Sequence, residues 1–214
     1  MTPLAETSVE YLSTPDVMRH SERLTVAEFR AMEFDDDDPY SYELIEGEIV
    51  QKSAPNPFHQ RVSHNLVRAL DAYVIPQNLG EVFYAPIDVF LDEYNVFQPD
   101  VLFLSNDRKN LVTIDGIMGA PNLVVEIVSP STVKRDRGGK MSVYERFGVL
   151  EYWIVDIRTR SVEVYVNTNE DGRFDFLLHE VYVADERNPE KPVTVRSVVL
   201  LGVELPLESV FEGV

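Results

Sequence analysis

The run Leu123-Val-Val-Glu-Ile-Val128 constrains this chain more than any other segment. Five of its six side chains are aliphatic, and they occupy both parities of an extended strand. A strand apolar on both faces belongs at the centre of a sheet covered on both sides, which means a layered fold of strands and helices. Glu126 interrupts that run. A carboxylate there is expensive unless it is paired or bound to a cation. The segment therefore predicts an architecture and a site together.

A second acid sits in a similar setting. Asp100 follows Pro99 inside Val96-Phe-Gln-Pro-Asp-Val-Leu-Phe-Leu-Ser105. Two adjacent strands would place Asp100 and Glu126 on one edge, within reach of one ion. A third acidic group, Glu43, Glu46 and Glu48, lies in the alternating segment 42–52 around Gly47. On one continuous strand Glu46 and Glu48 share a face and Glu43 takes the other, unless Gly47 introduces a bulge. A solvated surface role suits any one of these three acids.

The rest of the chain supplies elements to pack around that strand. Residues 25–32 open on Thr25 with Glu28 in the first turn, predicting a short helix. Asp35 to Asp38, followed by Pro39, read as a solvated loop. Segment 42–52 reads as a strand pair or a bulged strand, and 53–57 as a turn. Val62, Leu66, Ala69, Leu70 and Tyr73 recur at helical spacing within 58–75. Strands are predicted over 81–91, 96–105 and 122–128, then a helix over 138–147 closed by Gly148. A hairpin over 151–156 and 161–166 follows, with further strands over 173–183 and 192–201. Residues 202–214 read as a loop or short turn. The order of elements gives one mixed sheet with helices on its faces, in the α/β (α+β) class. With 214 residues, an arm (1–24) and one domain (25–214) are expected.

Composition excludes several chemistries. There is no cysteine, so disulfides, thiolate zinc sites and a cysteine nucleophile are ruled out. HExxH, GxSxG, Walker and dinucleotide motifs are absent. No basic stretch followed by an apolar run opens the chain, and no run reaches roughly 18 apolar residues, so a cytoplasmic protein without a membrane partner is expected. The net charge is −18, which repels a phosphate backbone at long range. The field is uneven. Residues 28–48 hold nine acids against Arg30, whereas residues 134–140 hold Lys134, Arg135, Arg137 and Lys140 against Asp136.

Two further residues could serve those acids. His59, at the start of the long helix, could meet a carboxylate, a phosphate or a metal-bound water. Lys140, after Arg137-Gly-Gly139, could lean toward the end of the Glu126 strand.

Taken in order, Tyr42-Glu-Leu-Ile-Glu-Gly47, Pro57 with His59, Gln98-Pro-Asp100, Leu123 to Pro130, Asp136 with Lys140 and Tyr144, and Gly148 to Asp156 resemble the Uma-two family. That family lies in the PD-(D/E)XK nuclease superfamily, and the resemblance covers roughly residues 25–166. It implies a restriction-endonuclease-like core, with a mixed central sheet flanked by helices and extra β-strands. Asp100 matches the aspartate of the PD element and Glu126 the acid of the (D/E)XK element. The lysine slot of that element holds Val128. Members of the superfamily can supply this lysine from the neighbouring helix, and Lys140 is the candidate here, with Lys134 as the fallback.

The resemblance implies a metal-dependent endonuclease that hydrolyses DNA phosphodiester bonds with Mg2+ or Mn2+. Asp100, Glu126, the Ile127 carbonyl and Glu43 would hold the ion, with Glu46 as a substitute for Glu43. Asp100, Glu126 and Lys140 would be catalytic, and His59 and Lys134 would touch the substrate. A nuclease-fold module that works through protein contacts is the alternative, and the acidity suits it. A two-carboxylate hydrolase acting on another substrate is a third reading. Segment 162–166, with few charges, suggests a homodimer contact.

Overall fold

The computed structural model describes residues 23–34, 38–129, 133–184, 187–188 and 191–214. The predicted arm over residues 1–24 lies outside them, apart from Arg23 and Leu24. So do Asp35, Asp36 and Asp37 of the acidic loop.

Local chemistry explains the first elements. The Thr25 side chain accepts from the Glu28 N–H, and Glu28 Oε2 accepts from the Thr25 N–H at 2.8 Å, so a capping box starts α1 (Val26–Arg30). Segment 42–52 is a strand pair: β1 (Ser41–Ile45) and β2 (Glu48–Lys52) run antiparallel. They are joined by Glu46 (φ 51°) and Gly47 (φ 82°). Positive φ at both central residues is the tight hairpin turn that matches strand twist. The helix α2 (Pro57–Val74) starts one residue before the predicted boundary, because the Asn56 side chain accepts from the Phe58 and His59 N–H groups and Pro57 takes the first position.

Prolines then divide what had read as continuous strands. Pro86 and Pro99 have no N–H to donate to a ladder. The predicted strand 81–91 becomes β3 (Gly80–Tyr84) and β4 (Val89–Asp92). The predicted strand 96–105 becomes β5 (Asn95–Phe97) and β6 (Val101–Ser105). Asp100 thus stands just before a strand rather than inside one. After a 3-10 turn come β7 (Val112–Thr113), β8 (Gly116–Met118) and β9 (Leu123–Val128). Next come α3 (Val133–Arg135), a π-helical turn (Asp136–Lys140) and α4 (Met141–Arg146). The helical region therefore starts before residue 138. It ends as expected at Gly148 (φ 76°). The Gly148 N–H donates to the Glu145 carbonyl and the Val149 N–H to the Tyr144 carbonyl, which is the Schellman pattern.

The hairpin of β10 (Glu151–Asp156) and β11 (Ser161–Glu170) follows, then β12 (Arg173–Val183). The predicted strand 192–201 shortens to β13 (Thr194–Arg196). The predicted terminal loop instead holds β14 (Glu204–Pro206) and α5 (Leu207–Val210). Its Leu205, Leu207, Val210 and Phe211 are buried against the core that α2 covers. No helix among the described residues is long and apolar enough to cross a membrane.

The strands form two six-stranded sheets and one short pair, rather than a single sheet. The first sheet has the order β2-β1-β5-β4-β8-β7 and the second β12-β11-β10-β9-β6-β3. In the second, β9 and β10 are parallel while β6 and β9 are antiparallel. All six residues of β9 are buried, as its sequence requires. Val125 and Ile127 face α2, whose Val62, Leu66, Leu70 and Val74 are fully buried, each worth roughly 1.5–3 kcal/mol. Val124 and Val128 face the first sheet and α4, beside Val143 and Tyr144. The chain is thus α+β, as expected, with its central acid strand between two covering layers. Strand β11, the expected dimer contact, pairs with β10 on one edge and β12 on the other. Val162 and Val164 are fully buried, while Glu163, Tyr165 and Val166 are partly exposed on the strand.

Candidate active site

Two of the chain's passages between the two sheets bear on the site, at residues 85–88 and again at 98–100. Gln98 ties the crossings together, its Nε2 donating to Asp88 Oδ1 at 2.8 Å. The second crossing delivers Asp100. In the β6–β9 ladder Val101 pairs with Val125, and continuing that register by one residue sets Asp100 opposite Glu126. The Ile127 N–H donates to Asp100 Oδ2 at 2.8 Å and fixes the carboxylate there. His59, carried by the first turn of α2, reaches the same oxygen with Nε2 at 3.2 Å. Its Nδ1 is buried with no partner among the described residues. Burial disfavours the charged forms of both groups, but each holds the other: Asp100 lies below the usual carboxylate range and His59 above its ordinary value.

Glu126 shares the parity of Val124 and Val128 and so faces the layer between the sheets. The π-helical turn brings Lys140 to it, where Nζ donates to Glu126 Oε1 at 2.8 Å, and the Tyr144 hydroxyl adds a longer bond at 3.3 Å. Lys140 is completely buried and meets Glu43 Oε1, also at 2.8 Å, from the first sheet. One ammonium thus lies between two carboxylates. Glu43 takes the larger share of positive charge, because Lys52 Nζ stands 3.4 Å from the same oxygen and the Gln98 N–H donates to it at 2.8 Å. These partners outweigh burial and keep Glu43 below the usual range. Glu126 has less compensation. Burial, with the nearby charges of Asp100 and Asp136, pushes it up to about 7 against the pull of Lys140.

These groups line or back a cleft of about 580 Å3 between the sheets. Asp100, Glu126, Ile127, His59, Lys52 and Asp136 lie on its wall. Glu43 and Lys140 stand behind the wall. Lys134 is exposed in α3 and is not part of the cleft wall, and no hydrogen bond or ion pair holds it among the described residues. Glu46 is exposed in the β1–β2 turn with Arg23 and Arg146, and Glu48 is exposed too. The β1–β2 turn therefore separates Glu43, which is brought to the site, from Glu46 and Glu48, which are not.

Sequence reading missed Lys52. Its amine donates to the Gln98 carbonyl at 2.8 Å and faces the cleft from the end of β2. A lysine closing an alternating strand looks like an ordinary surface cation, and only the hairpin fold turns it inward. Asp136 was visible as part of a motif but not as a buried acid. It is 2 % exposed, on the cleft, beside Arg135 Nε at 3.4 Å.

Among the described residues no three His, Cys, Asp or Glu side chains converge on one ion position. The cleft wall nevertheless presents two carboxylates of hard oxygen, Asp100 and Glu126, on either side of Ile127. Asp100 Oδ1 and Glu126 Oε2 accept no hydrogen bond among the described residues. Two carboxylates with room for water fit a magnesium-type ion, which keeps several waters of its own. Glu43 Oε2 is buried without a partner behind them.

Comparison with known proteins agrees with this architecture. An uncharacterised protein of Synechocystis sp. is 28% identical over 129 residues, which is 58% of this chain and 70% of that one. The crystal structure of a DUF820 protein from Anabaena variabilis, described as a "putative nuclease", superposes with a TM-score of 0.65 at 21% identity, covering 88% of this chain and 97% of that one. At that identity the likeness establishes the fold. The family profile of Uma2, described as "Putative restriction endonuclease", matches residues 26–208. Family and fold point to a restriction-endonuclease-like nuclease, and a match over that span places the chain in the Uma2 family.

Proposed function

We propose that the cleft hydrolyses DNA phosphodiester bonds with the help of Mg2+ or Mn2+. One observation carries this reading. Asp100 and Glu126 stand opposite each other on one cleft wall, and a lysine from a neighbouring helical turn bonds Glu126 at 2.8 Å although the strand itself offers Val128. Asp100, Glu126 and the Ile127 carbonyl would hold the ion, and the ion would supply an activated water and relief of charge on the phosphoryl oxygens. The chain's own groups do the rest. His59 donates to Asp100 Oδ2 and leaves Oδ1 for the ion. Lys140 keeps Glu126 oriented from behind and favours its ionised form, so it acts as a positioning residue. Lys52 is the cation on the cleft wall, placed to meet a phosphate oxygen where charge builds up. Holding the scissile phosphate is compatible with an acidic protein, because these cations and the bound ion would set the field locally.

The test is cleavage of supercoiled plasmid and of circular single-stranded DNA at low salt with each ion. Cleavage by the parent and none by Asp100→Ala or Glu126→Gln is the expected result. Equal cleavage by parent and variants refutes the assignment. No cleavage by any of them, with either ion, favours instead a nuclease-fold module that works through protein contacts.

A further inference from the structure

A second cavity, of about 390 Å3, opens beside the cleft. Its wall is Phe58, Val128, Val133 and Ile157, with Asp156 and Arg158 at the polar end. Asn56 and Ser129 belong to both cavities, so the two are continuous. Phe58 is 52% exposed, so part of its ring is open to the solvent beside the candidate active site. The Asn56 cap on the Phe58 N–H holds its backbone in place at 2.9 Å. The Asp156 carboxylate accepts from the Arg158 N–H at 2.9 Å, which anchors the turn that carries Arg158. The Arg158 guanidinium itself is exposed and makes no hydrogen bond or ion pair among the described residues.

From this we infer that the second cavity is a subsite for one unpaired nucleobase next to the scissile phosphate, so that the substrate is single-stranded or locally opened DNA. The inference rests on the nuclease reading above and deepens it. The space is large enough to admit a flat ring system, with an aromatic ring and aliphatic walls to contact it. A base within a duplex is stacked and paired, and it reaches such a cavity only by leaving the helix. Arg158 at the rim suits the phosphate on the far side of that base, which the chain connectivity of a nucleic acid would place there. An apolar peptide side chain would use the ring and the walls but leave Arg158 without purpose, and continuity with the catalytic cleft favours a strand that runs through both.

Binding can be measured apart from cleavage. A fluorescein-labelled single-stranded 12-mer and the matching duplex are titrated with protein in EDTA and in Ca2+ by fluorescence anisotropy, and each position of the single strand is replaced in turn by an abasic site. The single strand should bind about tenfold or more tightly than the duplex, as expected for one stacked base. One abasic position should lose most of that difference. Phe58→Ala should weaken the single strand by about tenfold, with Phe58→Trp restoring it, and Arg158→Ala should flatten the salt dependence. Because Phe58 is exposed, Phe58→Ala should fold, and its circular dichroism checks this. Equal binding of duplex and single strand, or Phe58→Ala that binds like the parent, overturns the subsite. The nuclease reading fails separately. A protein that binds the single strand through Phe58 yet cuts no DNA with Mg2+ or Mn2+ keeps the subsite and loses the hydrolysis. A protein that cuts duplex and single strand alike, with Phe58→Ala as active as the parent, does the reverse.

Discussion

Glu126→Gln should stabilise the metal-free protein while it abolishes cleavage. The carboxyl titrates near 7 in the folded protein against an ordinary value of 4.5, because it is buried and Lys140 is shared with Glu43. Holding it ionised in the folded state therefore costs about 3 kcal/mol. The sign follows from linkage. Below pH 4.5 both states carry the proton, and the folded protein has the full contribution. That contribution is lost as pH rises through 7. Glu43 and Asp100, held below the usual range, act in the opposite sense, and their contributions disappear only on acidification below about pH 4. They leave the range from pH 5 to 8 undisturbed. His59, raised chiefly by Asp100 and least by Glu126, loses its contribution as pH rises, and both proteins keep the Asp100 part. Glutamine keeps an oxygen for Lys140 and Tyr144 and cannot ionise. In EDTA the parent should lose roughly 5–10 °C in Tm between pH 5 and pH 8 that Glu126→Gln does not lose, at about 2–4 °C per kcal/mol for a chain of this size. Thermal unfolding followed by circular dichroism at the two pH values decides it. Parallel curves for parent and variant would show that Glu126 is already ionised at pH 5, and the electrostatic account of the site would be wrong.

Other substitutions probe the same layer. At pH 8, Mg2+ or Mn2+ should raise the Tm of the parent and leave Asp100→Ala unchanged, and differential scanning fluorimetry across an ion titration reads this. Lys140→Met should cost about 3–5 kcal/mol in urea unfolding, because it leaves Glu43 and Glu126 facing each other in a dry layer. Combining it with Glu126→Gln should recover part of that loss, as a double-mutant cycle would show. Lys52→Met should leave the circular dichroism unchanged, slow plasmid cleavage about ten- to a hundredfold, and reduce the sensitivity to salt. Glu151→Ala should cost about 2–4 kcal/mol, measured by urea unfolding. The buried Glu151 carboxylate accepts from Trp153 Nε1, Ser197 Oγ and the Val198 and Val199 N–H groups, all of which would lose their acceptor.

Much of this arrangement was written locally. The β9 run showed its burial because five aliphatic residues on both faces admit only a central position. The spacing in α2 and the turn after β10 were equally plain, since each is a short-range pattern. What escaped reading was long-range. Segments 81–91 and 96–105 read as continuous strands despite Pro86 and Pro99, and nothing local shows that their pieces join different sheets. Glu151 opens an apolar strand with nothing local to mark its environment, and it is fully buried by a segment more than forty residues later. The terminal residues carry Leu205, Leu207, Val210 and Phe211 in too short a stretch to show a period, so their burial depends on α2 being there to receive them. At the site, the acids were legible because a charge inside an apolar run is conspicuous. Lys52 was not, because nothing in its neighbours distinguishes it from a solvated lysine.

The double crossing between the sheets has a mechanical consequence. The chain leaves the second sheet after Tyr84, runs out and back as the β4–β5 hairpin, and re-enters at Val101. Asp100 is thus the last link of an excursion whose far end, Glu93 and Tyr94, lies away from the site. That far end is itself tied down, its Glu93 carbonyl accepting from the Val26 N–H and its Tyr94 carbonyl from the Gly47 N–H. A single residue added between Gln98 and Val101 acts like a slipped tooth in a gear: it shifts Asp100 out of register with Glu126 and uncouples the Gln98 bonds to Asp88, Glu43 and Lys52 at one stroke. Any load that slides one sheet over the other is felt first at the same joint, so the stiffness of the contact between the layers sets how well the two acids are held in line.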